Sequence, residues 1–113
     1  MTQATSSAAS PRSFASVSAS VESADFHARS YAAAIPTLGE WGFVLGSSDP
    51  LPDPDSISLT ARRVLRRASY VDARRLALLL AEPLAPNPLA PVNTLSEQPI
   101  VELLNSERRA RGL

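Results

Sequence analysis

Hydrophobic and polar positions alternate most clearly in the first half of the chain. Two short apolar runs flank a turn of Pro, Thr and Gly, and this pattern predicts strands at 30–35 and 41–45 joined by a tight connection. An isolated β-hairpin is at best marginally stable in water, so this one needs a larger body to pack against.

A helix is predicted directly before the hairpin. Ser10 and Pro11 are typical of an N-cap followed by proline at the first helical position. Apolar residues then recur at intervals of three, four and three, at Phe14, Val17, Val21 and Ala24. This spacing predicts an amphipathic helix of about four turns that ends near Asp25. We therefore expect a helix packed on a hairpin within residues 10–48, and disorder in the small, polar residues 1–9.

Proline separates this unit from the rest of the chain. Residues 49–58 form a Pro/Asp linker, because three prolines in five positions disfavour both helix and sheet. Residues 59–113 predict a helical tail whose three helices are capped by Thr60, Asp72 and Ser96, the first two covering 61–68 and 73–82. In the last helix four charged side chains are expected to face solvent: Glu102, Glu107, Arg108 and Arg109.

Composition limits the core and excludes several classes of protein. Aromatic residues make up only 5% of the chain, so large core-filling side chains are scarce. Residues 1–57 carry two Arg and six acids, and residues 58–113 carry nine Arg and five acids, so the halves can attract each other or the second can bind an acidic partner. The absence of Cys excludes disulfides and thiolate metal sites. No apolar run approaches the ~18 residues of a membrane span, and we expect a cytoplasmic protein.

Residues that carry catalytic chemistry are scarce. His27 is the single histidine and has no partner within sequence reach, which favours an exposed side chain over a metal ligand or a general base. Gly39, Gly42 and Gly46 lie inside the hairpin and not between a strand and a helix. They favour turn conformations and close packing around Trp41 over a nucleotide-binding loop. The sequence therefore predicts no catalytic residue and no metal site.

Arginine pairs in the predicted tail leave a second interpretation open. Two short helices within 61–81 can mimic a helix-turn-helix, and four arginines fall on one side of the first: Arg62, Arg63, Arg66 and Arg67. The balanced total charge and the lack of interleaved aromatic residues favour a solvated surface over a nucleic-acid interface.

The hairpin carries a family resemblance. Residues 31–45, with a Tyr strand, a Pro-Thr-Leu-Gly turn and a Trp-Gly-Phe strand, resemble the late hairpin of spermidine synthases, the polyamine aminopropyltransferases. Residues 14–26 resemble the helix that enters that hairpin. The segments 91–95 and 100–104 resemble the Val-Asn-x-Leu end and the terminal helix of the family. The resemblance covers residues 10–107 and is most specific at the hairpin.

The resemblance implies an α/β fold, namely a partial Rossmann-like methyltransferase fold of helix plus β-hairpin with an Arg/Pro-rich helical C-terminal tail. The family transfers an aminopropyl group from decarboxylated S-adenosylmethionine to putrescine, with 5′-methylthioadenosine as coproduct. Its glycine-rich cofactor loop and catalytic Asp residues have no counterpart here, so the resemblance implies no cofactor on this chain and no activity by itself.

The resemblance also implies a site and partners. Pro36, Thr37 and Leu38 correspond to the substrate-side rim of the amine pocket, with Leu38 where the family commonly has Tyr or Phe. The implied partners are the missing N-terminal part or an intact family member.

Two other functions remain open from the residues. One is a small interaction protein that docks through the hairpin edge and the apolar helix face of Phe14, Val17 and Val21. The other is a weak nucleic-acid binder through the Arg-rich helices at 61–81.

Overall fold

The structure is a computed structural model that describes residues 2–3, 5, 7–66, 73–81 and 87–112. Its elements in chain order are β1 (Thr2–Gln3), α1 (Pro11–Ser23), β2 (His27–Ile35), β3 (Gly39–Ser47), α2 (Pro54–Leu65), α3 (Ala73–Ala81) and α4 (Pro99–Ala110). The predicted helix and antiparallel hairpin are confirmed, and with the further helices the fold is mixed α/β.

The sheet has the order β1-β3-β2, and both pairings are antiparallel. β2 and β3 pair along their whole length, and both extend beyond the predicted strands. Leu38 N–H donates to Ile35 O at 3.0 Å to close the turn. Gly39 follows with φ +76°, a left-handed conformation that glycine adopts without steric cost. This is the geometry of a three-residue hairpin loop.

The predicted disorder of residues 1–9 is wrong for the part of this segment that lies on the sheet. Thr2 pairs with Val44 and Gln3 pairs with Phe43 to form β1. Gly42 N–H also donates to Thr5 O at 2.9 Å. The composition of the segment gives no sign of this pairing, because the partners are backbone groups that β3 leaves open on its outer edge.

α1 packs closely on one face of the hairpin because glycine residues allow it. Phe14 is 5% exposed, and a Cβ added at Gly42 would lie 2.2 Å from its Cε2 atom. Two residues further along β3, Val44 is fully buried. A Cβ at Gly46 would lie 3.0 Å from Cγ1 of Val21. The helix therefore approaches the strand most closely at its N-terminal half.

Serine side chains of α1 hold the C-terminal segment. Ser16 Oγ donates to Pro91 O at 2.6 Å, and Asn93 N–H donates to Ser20 Oγ at 2.8 Å. Ser16 is fully buried at this contact. These bonds hold the irregular segment before α4 against α1. α4 then runs antiparallel to α1, because its Glu107 reaches the N-terminus of α1.

Glu107 of α4 caps the N-terminus of α1. Its Oε1 accepts from Arg12 N–H at 2.8 Å, and its Oε2 accepts from Ser13 N–H at 3.3 Å and Ser13 Oγ at 2.5 Å. Ser10 occupies the predicted N-cap position, but its side chain makes no cap bond. The prediction that Glu107 faces solvent is therefore wrong. The free N–H groups that attract its carboxylate belong to another helix, which the periodicity of α4 does not reveal.

α2 begins inside the segment predicted as a linker, 49–58. Asp53 accepts from Ser56 N–H at 3.0 Å and from Ser56 Oγ at 2.6 Å, and Pro54 occupies the first turn of the helix. The hydrogen bonds from the Ser56 side chain and backbone lower the pKa of Asp53. Thr60 is therefore not a cap, since it lies inside the helix and donates to Ser56 O at 3.1 Å. Proline at the first helical position starts this helix and does not break it.

α4 also begins later than predicted. Ser96 is not its cap, because the helix starts at Pro99 with Gln98 in the N-cap position. Ile100 N–H instead donates to Asn93 Oδ1 at 3.4 Å. An asparagine outside the helix thus satisfies one of its free N–H groups.

α3 contacts both α2 and β2, and its Leu80 is buried. It matches the predicted second helix of the tail, while the proposed cap Asp72 and the end of that helix at Glu82 lie outside the described residues. Its nine residues fall far short of a bilayer's thickness, and no helix in the described ranges is long and apolar enough to cross a membrane.

Gly42→Ala is expected to destabilise the fold by about 1–3 kcal/mol, because the new methyl group overlaps the Phe14 ring. Urea unfolding followed by circular dichroism measures this loss. Gly46→Ala is the matched control, and a smaller loss is expected because its nearest neighbour is 3.0 Å away. Equal losses at the two positions would contradict the close contact between Phe14 and Gly42.

Glu107→Ala is expected to cost about 1 kcal/mol of unfolding free energy, because it removes the acceptor for the first N–H groups of α1. Glu107→Gln keeps an acceptor oxygen without the charge, so an intermediate loss is expected. Glu102→Ala, on the exposed side of the same helix, is the control and stays within about 0.5 kcal/mol of the parent chain. A Glu107→Ala chain as stable as the control would show that the cap contributes nothing.

Candidate functional site

An open groove of about 500 Å³ lies between α1, β3 and the start of α4. Its lining is mostly apolar, with two polar side chains, and the principal residues are Val17, Val21, Phe26, Val44, Ile100 and Asn93. Concave sites with an apolar lining and few polar groups are typical of binding sites in proteins. We call this feature the α1–β3 groove.

The apolar stripe of α1 supplies one wall of the α1–β3 groove. Sequence spacing predicts that the stripe packs on the hairpin, and Phe14 does so. Val17 and Val21 are only half-buried, and Phe26 is 46% exposed. The C-terminal half of the stripe thus presents apolar surface that the rest of the described chain leaves partly uncovered.

Asn93 fixes the opposite wall. Its N–H donates to Ser20 Oγ, and its Oδ1 accepts from Ile100 N–H. The first turn of α4 is thereby held beside α1, with Ile100 at the groove. Sequence reasoning missed the roles of Ser20, Asn93 and Ile100 in a site, because no local pattern indicates that these three segments meet.

The predicted substrate rim lies elsewhere. Pro36, Thr37 and Leu38 sit together in the exposed hairpin turn, and Leu38 is 56% exposed. At about 3.3 Å per residue, the five steps from Gly39 to Val44 and the seven to Gly46 place this turn roughly 16–23 Å from the strand residues that line the α1–β3 groove. The structure therefore brings the three rim residues together but does not join them to the groove.

Charged residues near the turn and the strand ends do not converge. Glu40 accepts a hydrogen bond from Ser7 Oγ at 2.5 Å beside the turn. His27 is an exposed residue at the start of β2, at the other end of the hairpin. Within the described ranges, no three His, Cys, Asp or Glu side chains are grouped so as to hold a metal ion.

Aromatic residues occupy the face of the hairpin opposite α1. Tyr31 and Phe43 stack with ring centroids 5.4 Å apart and planes 18° from parallel. Burial raises the pKa of Tyr31. Trp41 lies on the same face, and its Nε1 is buried with no hydrogen-bond partner among the described residues. Because these aromatic side chains stack and are partly buried, they serve the packing of the hairpin.

The arginine surface is described only in part. Arg62 is exposed on α2 and Arg66 is exposed at its C-cap, while the side chain of Arg63 and all of Arg67 lie outside the described residues. The two exposed guanidinium groups belong to a helix with an acidic first turn at Asp55. Exposed arginines on a helix with mixed charge are typical of a solvated surface.

No protein-family model matches the chain, and neither a curated protein nor a solved structure is significantly similar to it. The resemblance of residues 31–45 to spermidine synthases therefore stays a prediction from the sequence. Any function built on it is a proposal.

Tyr31 is expected to make the fold less stable at alkaline pH. The folded chain holds the phenol proton at a pH where the unfolded chain has lost it, so stability present below the unfolded pKa is lost as pH rises through the folded pKa. Urea unfolding across an alkaline pH series should show this decline, and Tyr31→Phe should flatten it. Ultraviolet titration in which Tyr31 ionises at the same pH in the folded and urea-unfolded chains would contradict the buried environment.

Proposed function

We propose that this chain is a cytoplasmic, spermidine synthase-like segment of the aminopropyltransferase family, connected with polyamine biosynthesis. In this proposal it has no aminopropyltransferase activity alone and acts by association with the N-terminal part of such an enzyme or with an intact family member. The observation that carries it is the hairpin at residues 31–45, with its Tyr strand, Pro-Thr turn and Trp-Gly-Phe strand.

The arrangement of the other resembling segments supports the proposal. α1, which contains most of 14–26, packs on the hairpin. The segment 91–95 lies along α1 through the bonds of Ser16 and Ser20, and α4, which contains 100–104, packs on α1. Segments that are distant in sequence thus form one packed unit, as expected if they derive from one ancestral domain.

The antiparallel sheet supports the proposed lack of activity. Ligands of Rossmann-like folds bind in a crevice at the carboxyl ends of parallel strands. The described strands pair only antiparallel, which provides no such crevice. In the proposal, the exposed turn of Pro36, Thr37 and Leu38 borders an amine pocket only when another polypeptide supplies the remaining strands.

An activity assay tests this function. The purified chain, incubated with putrescine and decarboxylated S-adenosylmethionine, is expected to form 5′-methylthioadenosine at the rate of a protein-free blank, because the chain lacks the residues that bind and deprotonate the substrates. An active spermidine synthase under the same conditions is the positive control. Turnover above the blank would overturn the proposal that the chain is inactive alone.

A small interaction protein is the second candidate function. The α1–β3 groove favours it, because the half-buried Val17 and Val21 and the exposed Phe26 form apolar surface next to a strand edge. Partly uncovered apolar surface of this kind is typical of docking sites for other polypeptides.

A further inference from the structure

Residues 91–112, which we call the α4 arm, are attached to the body of the fold along a single helix. α1 is the one element in the described ranges that α4 contacts, whereas α1 also packs on β2 and β3. Pro91 and Asn93 bond to the serines of α1 at one end of the arm. Glu107 bonds to the first turn of α1 at the other end. The arm is therefore held at two places on one helix.

The contact between the α4 arm and α1 is mainly polar. Among residues 91–112, all of which the structure describes, Leu103 is the one apolar side chain that is buried. The fully buried α1 residues that bond to the arm are Ser13 and Ser16. Hydrogen bonds are replaced by bonds to water when such a contact opens, whereas buried apolar area has no such replacement. The contact therefore resists opening less than an apolar contact of the same extent.

α1 and the hairpin are joined by contacts in which the α4 arm takes no part. The Phe14 ring fills the space beside Gly42, and Ser18 Oγ lies 2.8 Å from Ser30 Oγ in a buried contact. β2 and β3 pair over nine residues each. Segments with few buried apolar contacts open locally at a lower free energy than paired core strands. The arm is thus the part of this unit that is expected to open first.

We propose that the α4 arm opens as one unit while α1, β2 and β3 stay folded, so that the arm is a movable wall of the α1–β3 groove. The hinge is the exposed turn before the arm. Its hydrogen bonds run within the turn, from Leu89 N–H to Asn87 Oδ1 and from Ala90 N–H to Asn87 O, both at 3.0 Å. Leu89 is 90% exposed, so the turn moves without uncovering a buried side chain. The proposal requires neither the family assignment nor a docking partner.

Opening of the α4 arm removes part of the groove. Asn93 and Ile100 belong to the arm and line the groove, whereas Val17 and Val21 belong to α1 and remain. The groove is therefore complete only while the arm is closed. Glu107 holds the arm roughly 10 Å away along α1, the rise of the seven residues from Ser13 to Ser20. A carboxylate outside the groove thus regulates how often its wall is present.

Two backbone amides report on the contact between the arm and α1. Arg12 lies in the first turn of α1, where an N–H has no acceptor within its own helix, and its acceptor is Glu107 Oε1. Asn93 N–H donates to Ser20 Oγ at the other end of the contact. Both amides lose their acceptors when the arm leaves α1. Fraying of α4 alone would leave the Asn93 bond intact.

The experiment is native-state hydrogen exchange of the full chain, followed by nuclear magnetic resonance over a urea series below the unfolding transition. We expect Asn93 and the amides of 104–108 to exchange through a common opening, faster than the β2–β3 ladder. Urea is expected to accelerate this opening only weakly, because release of the arm exposes less surface than global unfolding.

Gly39→Ala separates the arm from the rest of the fold. The variant strains the left-handed backbone of the hairpin turn without touching any neighbour. We expect exchange of the β2–β3 ladder to accelerate at least about fivefold while Asn93 and 104–108 keep their rates. Gly39→Asn is the matched control and is expected to accelerate the ladder less, because Asn tolerates this conformation. If neither variant changes the ladder, the urea series on the parent chain decides.

Glu107→Ala tests whether the arm opens as one unit. Removal of the carboxylate is expected to accelerate exchange at Asn93, the opposite end of the contact, about fivefold. Glu102→Ala, on the exposed side of α4, is the control and is expected to stay within about twofold of the parent rate.

Three results would overturn the proposal. One is equal exchange rates and urea dependences for the arm and the ladder, which would mean that the chain opens only as a whole. Another is equal acceleration of both by Gly39→Ala. The third is an Asn93 rate that Glu107→Ala leaves unchanged, which would mean that the two ends of the arm open separately.

Discussion

The contact between the Phe14 ring and Gly42 determines how closely α1 can approach the sheet. The ring occupies the space in which any other residue at position 42 would place its side chain. This close approach brings Ser18 within 2.8 Å of Ser30 and leaves the serines on the other side of α1 free to bind the segment before α4. The position of α4, and hence one wall of the groove, therefore depends on this contact as well as on the serine bonds to the segment before α4.

Sequence patterns predicted the elements whose signals are local. The stripe from Phe14 to Ala24 and the Pro-Thr-Gly turn each report on a few neighbouring residues, and both elements form as expected. The patterns failed where a distant group decides the outcome. Glu107 reads as an exposed helix residue because its partners, the N–H groups of Arg12 and Ser13, lie far away in sequence.

The start of α2 was missed for a different reason. Asp53, Pro54 and Ser56 carry a local capping signal, with hydrogen bonds from Ser56 to the Asp53 carboxylate. The density of prolines predicts a break in regular structure, whereas proline in the first turn is compatible with a helix. The candidate site also has a part that the sequence predicts and a part that it does not. The turn at Pro36 is formed by neighbouring residues and is predictable from a local pattern. The groove forms only where α1, β3 and α4 meet, and the periodicity of one segment does not indicate that contact.

The carboxylate of Glu107 also determines when the unit can be completed during synthesis. α1 leaves the ribosome early, yet the group that satisfies its first N–H groups lies 95 residues further along the chain from Arg12. Closing so long a loop carries an entropic cost that must be met before the contact forms. α1 therefore remains without this cap until residue 107 has been synthesised, although its own residues are made much earlier.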